Sequence, residues 1–234
     1  MFIIFIIYKY YIIGDIIMTI SIQSATNGTL GFDCDTVLTS NTAQAFITAG
    51  FKFAIRYLSL ASLPQLGDLN ATEVYIILQS GLALMAVQHV AYAGWLPSVG
   101  LGHQNGSNAA SCAFASGLPA GITIWLDLEG VNSSARAADV IAYCNAWCAA
   151  VSTSGYMPGL YVGANSILTG DQLYWDLTVT EYWQSGSTVP AVTTRGYCMV
   201  QTINNSLQID GVAYDKDVIQ TDALGGTPIW AINV

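Results

Sequence analysis

The stretch TIWLDLEG, residues 123–130, ends an otherwise apolar strand-like run on two acids, Asp127 and Glu129. Charged residues make up only 9% of the chain, against roughly 25% in an average soluble domain, so an acidic pair at a strand end stands out. Such a pair could serve as a salt-bridged structural element, a metal site, or the acid machinery of an enzyme. Residues two apart on one strand face have Cα atoms about 6.5–7 Å apart. Glu reaches one methylene farther than Asp, so Glu129 can extend over a cleft while Asp127 stays beneath it. Burial beside Trp125 and the charge of Asp127 both raise the expected pKa of Glu129, which keeps a proton available to a general acid near neutral pH.

Other polar residues gather at strand ends in the same way. The first strand, LGFDCD (30–35), carries Asp33 and Asp35; FKFAIRYLSL (51–60) carries Arg56; LALMAVQHV (82–90) carries His89. PGLYVGANS (158–166) carries Tyr161 and Asn165, and GVAYDKDVI (211–219) carries Asp215 and Asp217. Strand parity sorts these side chains. Ile122, Ile124, Leu126 and Leu128 form an aliphatic face that packs on helices, which turns Thr123, Trp125, Asp127 and Glu129 inward. By the same reading Asp33, Arg56, His89, Tyr161 and Asn165 point inward, while Phe53, Ile55 and Tyr57 point outward. Arg56 is then expected to hold Asp33 or Asp127 ionised.

The elements that position these residues alternate. Helices are predicted over 40–50, 70–81, 106–119 and 132–155, with a short helical turn over 169–177; capping residues and terminal glycines mark several of these helices. Three further strand-like runs, at 180–186, 196–202 and 211–219, follow with little helix between them. Alternating strands and helices imply right-handed βαβ units and a parallel sheet. Eight strands fit a single closed (β/α)8 TIM-type barrel with reduced helices in its C-terminal part. An open doubly wound sheet is disfavoured, because carboxylates rather than a glycine-rich phosphate loop follow the first strand. The barrel is expected over residues 29–234, with 1–28 as an N-terminal extension outside the fold.

Composition narrows the functional classes. A net charge of −9 with only six Lys and Arg leaves no basic patch for nucleic acid and disfavours an anionic membrane surface. The five cysteines, Cys34, Cys112, Cys144, Cys148 and Cys198, are scattered and odd in number, which is not a disulfide framework. Cys144 and Cys148 share a helix face, but no second pair has zinc-finger spacing, so they read as packing residues. No metal and no cofactor is expected. A metal-dependent hydrolase using Asp33, His89 and Asp127 ranks low, because such sites usually recruit more than one histidine. The apolar start, MFIIFIIYKYYIIGDIIM, is too short to span a bilayer before charges interrupt it. It reads as an upstream extension with Met18 as the functional start, and then a cytoplasmic protein; the alternative is a weak export signal and a secreted or cell-wall-directed one.

Together these motifs resemble a known group. GFDCD on the first strand, DLE on the fourth, LYVGANS on the fifth and VAYDKDV on the last are similar to the (β/α)-barrel glycosidases of the family 25 lysozyme type. GFDCD, FAIRYL, ATEVYIILQSGLALM and GLYVG are closer still to the glycoside-hydrolase-like domain of unknown function 1906. The resemblance runs from about residue 30 to 220. It implies Glu129 as general acid, with Asp127, Asp33 and a last-strand aspartate, Asp215 or Asp217, around it. It also implies a cell-wall or amino-sugar polysaccharide, such as peptidoglycan, as partner. Glycoside hydrolysis needs one carboxylic acid to protonate the leaving oxygen and a second carboxylate to attack, activate water or stabilise positive charge. Tyr161 and Trp183 are candidate sugar platforms, with Trp95, Trp175 and Tyr182 behind them. Asn165, Gln184 and Gln201 are candidate donors to hydroxyl or N-acetyl groups, and Arg56 and His89 complete the binding set. The reading of a different class is a catalytically inactive carbohydrate-binding or interaction barrel.

Overall fold

The computed structural model describes residues 9–13, 16–203 and 207–234, with side chains from Thr19 onward. In chain order the strands and helices are β1 (Lys9–Ile13), β2 (Ile16–Ser24), β3 (Leu30–Cys34), α1 (Ser40–Thr48), β4 (Phe53–Leu58), α2 (Ala71–Gln79), β5 (Ala83–Gln88), α3 (Val99–Ala115) and β6 (Thr123–Leu128). They continue with α4 (Ala137–Thr153), β7 (Met157–Val162), α5 (Gly170–Trp175), β8 (Glu181–Gln184), β9 (Met199–Thr202), the short hairpin β10 (Gln208–Ile209) and β11 (Val212–Ala213), β12 (Asp215–Ile219) and β13 (Ile229–Asn233). Helix starts follow local chemistry. Thr39 and Thr169 form reciprocal capping boxes with Thr42 and Gln172, and Asn70 and Ser98 accept first-turn N–H groups, which satisfies donors a helix leaves unpaired.

Strands β3 to β9 pair in sequence and in parallel, and β12 closes the ring by pairing with both β9 and β3. The result is the expected closed eight-stranded barrel with its C-terminal helices reduced: among the described residues no helix follows α5. The last wall strand departs from the expected parallel sheet, because β12 runs antiparallel to both neighbours. The chain returns from β9 through the hairpin β10–β11 rather than through a crossover helix, and a short return reverses strand direction.

The barrel has two apolar layers. Outside the wall, under the helices, lie Phe32, Ala54, Leu84, Ile124, Leu126, Leu128, Leu160 and Val162. Inside it lie Phe53, Ile55, Met85, Val87, Trp125, Tyr161, Trp183 and Met199. Parity therefore holds for β3, β5, β6 and β7 and is reversed for β4, where Phe53 and Ile55 fill the interior and Arg56 points out. Both faces of a parallel barrel strand are buried, so the apolar pattern of β4 does not distinguish them.

Helix α3 begins at Val99, seven residues before the expected start at 106. Glycine disfavours helix interiors, but a side chain at Gly102 or Gly106 would collide with the backbone of Tyr143 or Trp147 on α4, so close helix contact outweighs propensity. The segment placed outside the fold, residues 1–28, is not wholly detached. Strand β2 pairs with β13 over five residue pairs, Ile20 to Ser24 against Asn233 to Ile229, and Ile20 and Ala25 are buried. Residues 1–8 and 14–15 lie outside the described residues. Strand β13, which sequence reading missed, brings Trp230 to 5.6 Å from Phe53 at the barrel floor. No helix among the described residues is long and apolar enough to cross a membrane.

Candidate active site

The site begins above the aromatic interior. Trp183 on β8 meets Trp125 at 5.7 Å and Tyr161 at 4.5 Å, edge to face. Carboxyl groups from β3, β6 and β12 sit on this platform. Asp33 is 4% exposed; Gln201 Nε2 donates to its Oδ2 at 2.7 Å and Tyr57 O–H to its Oδ1 at 3.3 Å. Asp217, fully buried, accepts from Trp183 Nε1 at 3.0 Å on Oδ1. Its Oδ2 has no hydrogen-bond partner, and the Asp33 carboxyl is the charged neighbour that, after burial, raises it most. Asp127 is 6% exposed, and its Oδ1 has no partner. Glu129 is the more accessible of the pair and lies over Gly163 at the end of β7. A side chain at Gly163 would strike the Glu129 side chain, so glycine leaves the acid its place.

Charge states follow from burial. Asp33 is pushed up to about 6, chiefly by burial, with the Gln201 and Tyr57 hydrogen bonds opposing the shift and Asp215 adding to it. Asp127 is raised well above the usual carboxylate range by burial, then by Glu129 and Asp33. Asp217 is raised likewise by burial, then by Asp33. Burial also raises Glu129. Among the described residues no ion pair joins Lys or Arg to Asp33, Asp127, Glu129 or Asp217.

The structure brings Asp33, Asp127, Glu129, Tyr161 and Gln201 together and adds Asp217, which sequence reading left open against Asp215. Asp215 is half-buried at the start of β12, opposite Asp33 in register, and lines the cleft. Tyr161 O–H lies 2.9 Å from Ser185 Oγ and 2.8 Å from Gln201 Oε1; Gln201 thus joins Tyr161 to Asp33 and is occupied by them. Trp183 is 1% exposed, so it supports Asp217 rather than offering a face to sugar. His89 is half-buried at the mouth, with Nε2 3.0 Å from Asp68 Oδ1 and its ring stacked 4.7 Å from Tyr57. Asn165 is exposed in the loop after β7, with left-handed backbone, and takes no part in the bonds linking the carboxyls.

Arg56 corrects the expectation most sharply. It lies outside the barrel, fully buried, where Nε donates to Glu73 Oε1 at 2.7 Å, Nη2 to Gly67 O at 2.9 Å and Nη1 to Cys34 O. It holds neither Asp33 nor Asp127 ionised. Trp95 is buried and donates from Nε1 to Glu129 O at 2.9 Å, which anchors the backbone of the acid. Tyr182 is buried and Trp175 is exposed on α5. Cys144 and Cys148 are buried on α4. Sequence reading missed Tyr57, because the reversed parity of β4 hid it, and Ser185 and Gly163, which carry no chemistry of their own.

A cleft of about 310 Å3 opens beside the carboxyls, lined by Asp33, Asp35, Tyr57, Tyr214 and Asp215 among others. A larger groove, about 780 Å3, lies outside the barrel between Leu63, Phe114 and Tyr156 and touches none of the acids. The smaller cleft is the one that meets the acids, at Asp33, Asp35 and Asp215; Asp127 and Glu129 are not among its lining residues.

Comparison with known proteins agrees with this architecture. The profile described as "Rv2525c-like, glycoside hydrolase-like domain" matches residues 44–221. No curated protein matches the chain. The Tat-secreted protein Rv2525c of Mycobacterium tuberculosis, solved with L-tartrate, superposes with a TM-score of 0.63 at 19% identity, covering 83% of this chain and 96% of that one. The bacterial lysozyme of Streptomyces coelicolor gives 0.56 at 13% identity, covering 86% and 95%. The modular autolysin LytC of Streptococcus pneumoniae, in complex with a synthetic peptidoglycan ligand, gives 0.58 at 13% identity, covering 82% of this chain and 46% of that one.

Proposed function

We propose, from the premise that this chain belongs to the Rv2525c-like, glycoside hydrolase-like domain family, that it cleaves glycosidic bonds in a cell-wall or amino-sugar polysaccharide such as peptidoglycan. One observation carries the reading: Glu129, accessible and raised by burial, stands over a buried Asp127 at the mouth of the barrel. Glu129 would protonate the leaving oxygen. Asp127 would face the positive charge that develops on the sugar ring, with Asp33 and Asp217 alongside. The shared fold of a lysozyme and of an autolysin solved with a peptidoglycan ligand supports a polysaccharide partner. Similarity to a Tat-secreted protein supports action outside the cytoplasm.

Turnover of a fluorescent muropeptide or chitooligosaccharide tests this. Glu129→Gln keeps shape but removes the transferable proton, and general acid catalysis is worth roughly 10²–10⁴-fold. The rate should fall by about that factor while ligand binding survives. Asp127→Asn should also slow turnover, but with a different pH profile, since it removes charge stabilisation and the carboxyl that burial and Glu129 push up. Equal rates for wild type and Glu129→Gln would place the acid elsewhere, with Asp215 next to examine. Binding without wild-type turnover would favour the inactive carbohydrate-binding barrel.

A further inference from the structure

Glu129 stands one residue past β6, whose pairing with β7 ends at Leu128 and Val162. Its peptide therefore lies beyond the ladder, and two loops take over. Gly130 N–H donates to Ala164 O at 2.8 Å, after β7, and Gly94 N–H donates to Gly130 O at 2.7 Å, after β5. These bonds run backbone to backbone and survive a change of side chain. The bond to the acid's own carbonyl is different. It comes from the Trp95 side chain, whose Nε1–H donates to Glu129 O at 2.9 Å. Trp95 also bridges to Val131. Asn132 closes the loop, with its N–H on Trp95 O at 2.9 Å and its Nδ2 on Gly94 O at 3.1 Å. At 3% exposure the indole has no face for sugar. It packs 4.7 Å from the Tyr143 ring on α4, and Asn105 Nδ2 on α3 donates to the Tyr143 hydroxyl at 3.0 Å. A chain of contacts thus runs from two outer helices, through one indole, to the peptide of the acid.

We propose that Trp95 is a positioning residue for Glu129: its indole N–H sets where the carboxyl stands relative to Asp127. The inference rests on the glycan reading above and assigns a further residue to the same site. A buried bond to a backbone carbonyl fixes the plane of that peptide, and the plane fixes the direction in which the side chain leaves. Without the bond the carboxyl swings from its place beside Gly163, loses alignment with the glycosidic oxygen and meets more water. A misplacement of about 1 Å can cost about 100-fold in rate. Better solvation of the carboxylate also lowers a pKa that burial now raises. Asp127 on β6 and Tyr161 on β7 are ionisable groups that feel the Glu129 charge, and neither is altered when Trp95 is replaced.

Trp95→Phe in the full chain keeps an aromatic ring against Tyr143 and removes the N–H. On the fluorescent muropeptide or chitooligosaccharide, kcat should fall about 10- to 100-fold while KM stays nearly unchanged. The basic limb of the pH–rate profile, which the general acid sets, should move to lower pH. In the Glu129→Gln background the same change should cost less than about twofold, because residues that act as a unit are not additive. Asn132→Ala, at a half-buried side chain, loosens the same loop. It should lower kcat severalfold with the same shift of the basic limb, and it keeps the test open where Trp95→Phe does not fold. A folded Trp95→Phe with wild-type kcat and pH profile, a loss confined to KM, or an equal loss with and without Glu129 overturns the inference and leaves the glycan reading standing. If the wild type turns over neither substrate, the glycan reading falls and the inference falls with it.

Discussion

Glu181 sits in the lower part of the barrel, where Thr123 Oγ1 donates to its Oε2 at 2.7 Å and accepts from Ile229 N–H at 2.8 Å. It is 6% exposed and takes no part in the cleft. Burial pushes its carboxyl from 4.5 up to about 7, with the Thr123 hydrogen bond opposing. A folded-state pKa above the unfolded one means that the folded protein keeps a proton the unfolded chain has released. This contribution to stability is fully present below about 4.5 and is lost as pH rises through about 7. Glu181→Gln should therefore leave stability near pH 4.5 little changed. At pH 8 it should raise stability by roughly 3 kcal/mol, since each pKa unit is worth about 1.4 kcal/mol. Urea unfolding at the two pH values reads this directly, and a loss at both would mean that the Thr123 bond outweighs the buried charge. The acids of the cleft obey the same rule with added coupling. Asp33 at about 6 titrates where a working general acid and its neighbours must exchange protons.

At the scale of elements, Arg56 acts as a clamp. It joins β4 to the end of β3 through Cys34 O, to the following loop through Gly67 O and to α2 through Glu73. Glu73 Oε1 also accepts Leu38 N–H at 2.7 Å, ahead of α1. Removing one partner of a buried pair strands the other charge, at a cost of about 3–5 kcal/mol. Arg56→Ala should lose that much stability by chemical denaturation, and where the variant still folds its glycan affinity should be unchanged. Weakened affinity in a folded variant would return Arg56 to the cleft. The inward face of β6 was legible from sequence because Ile122, Ile124, Leu126 and Leu128 form an unbroken aliphatic row. The outward turn of Arg56 was not, because Phe53, Ala54 and Ile55 are all apolar and its partner sits on the next helix. Asp217 was equally hidden. Only the antiparallel pairing of β12 with β3 sets it beside the Asp33 carboxyl, and residue spacing does not reveal strand direction. The early start of α3 escaped because its glycines answer to α4, not to local propensity.

For the molecule as a whole, the two ends of the described chain meet beneath the barrel. Strand β2 pairs with β13, which touches the wall at Ala231 and Leu84, and Ile20 is buried there. Deleting residues 1–17 should leave the melting temperature nearly unchanged. Deleting 1–24 removes the β2 ladder and Ile20, and should lower it by at least about 5 °C, given roughly 2–4 °C per kcal/mol for a domain of this size. Thermal unfolding of the two truncations separates them, and equal melting temperatures would show that β2 contributes nothing. The closing strand has a consequence for how the protein is made. Gln201 and Asp33, bonded across the cleft, are 168 positions apart in sequence, and β12 seals the wall between them only after almost the whole chain has been synthesised. During translation the edge of β3 waits unpaired for its second neighbour, and contacts this distant form late. A chain that stalls on the ribosome before residue 215 has Asp33, Asp127 and Glu129 but no cleft to hold them. Unfinished copies therefore lack the site, and whatever the finished cleft does must wait for the last wall strand.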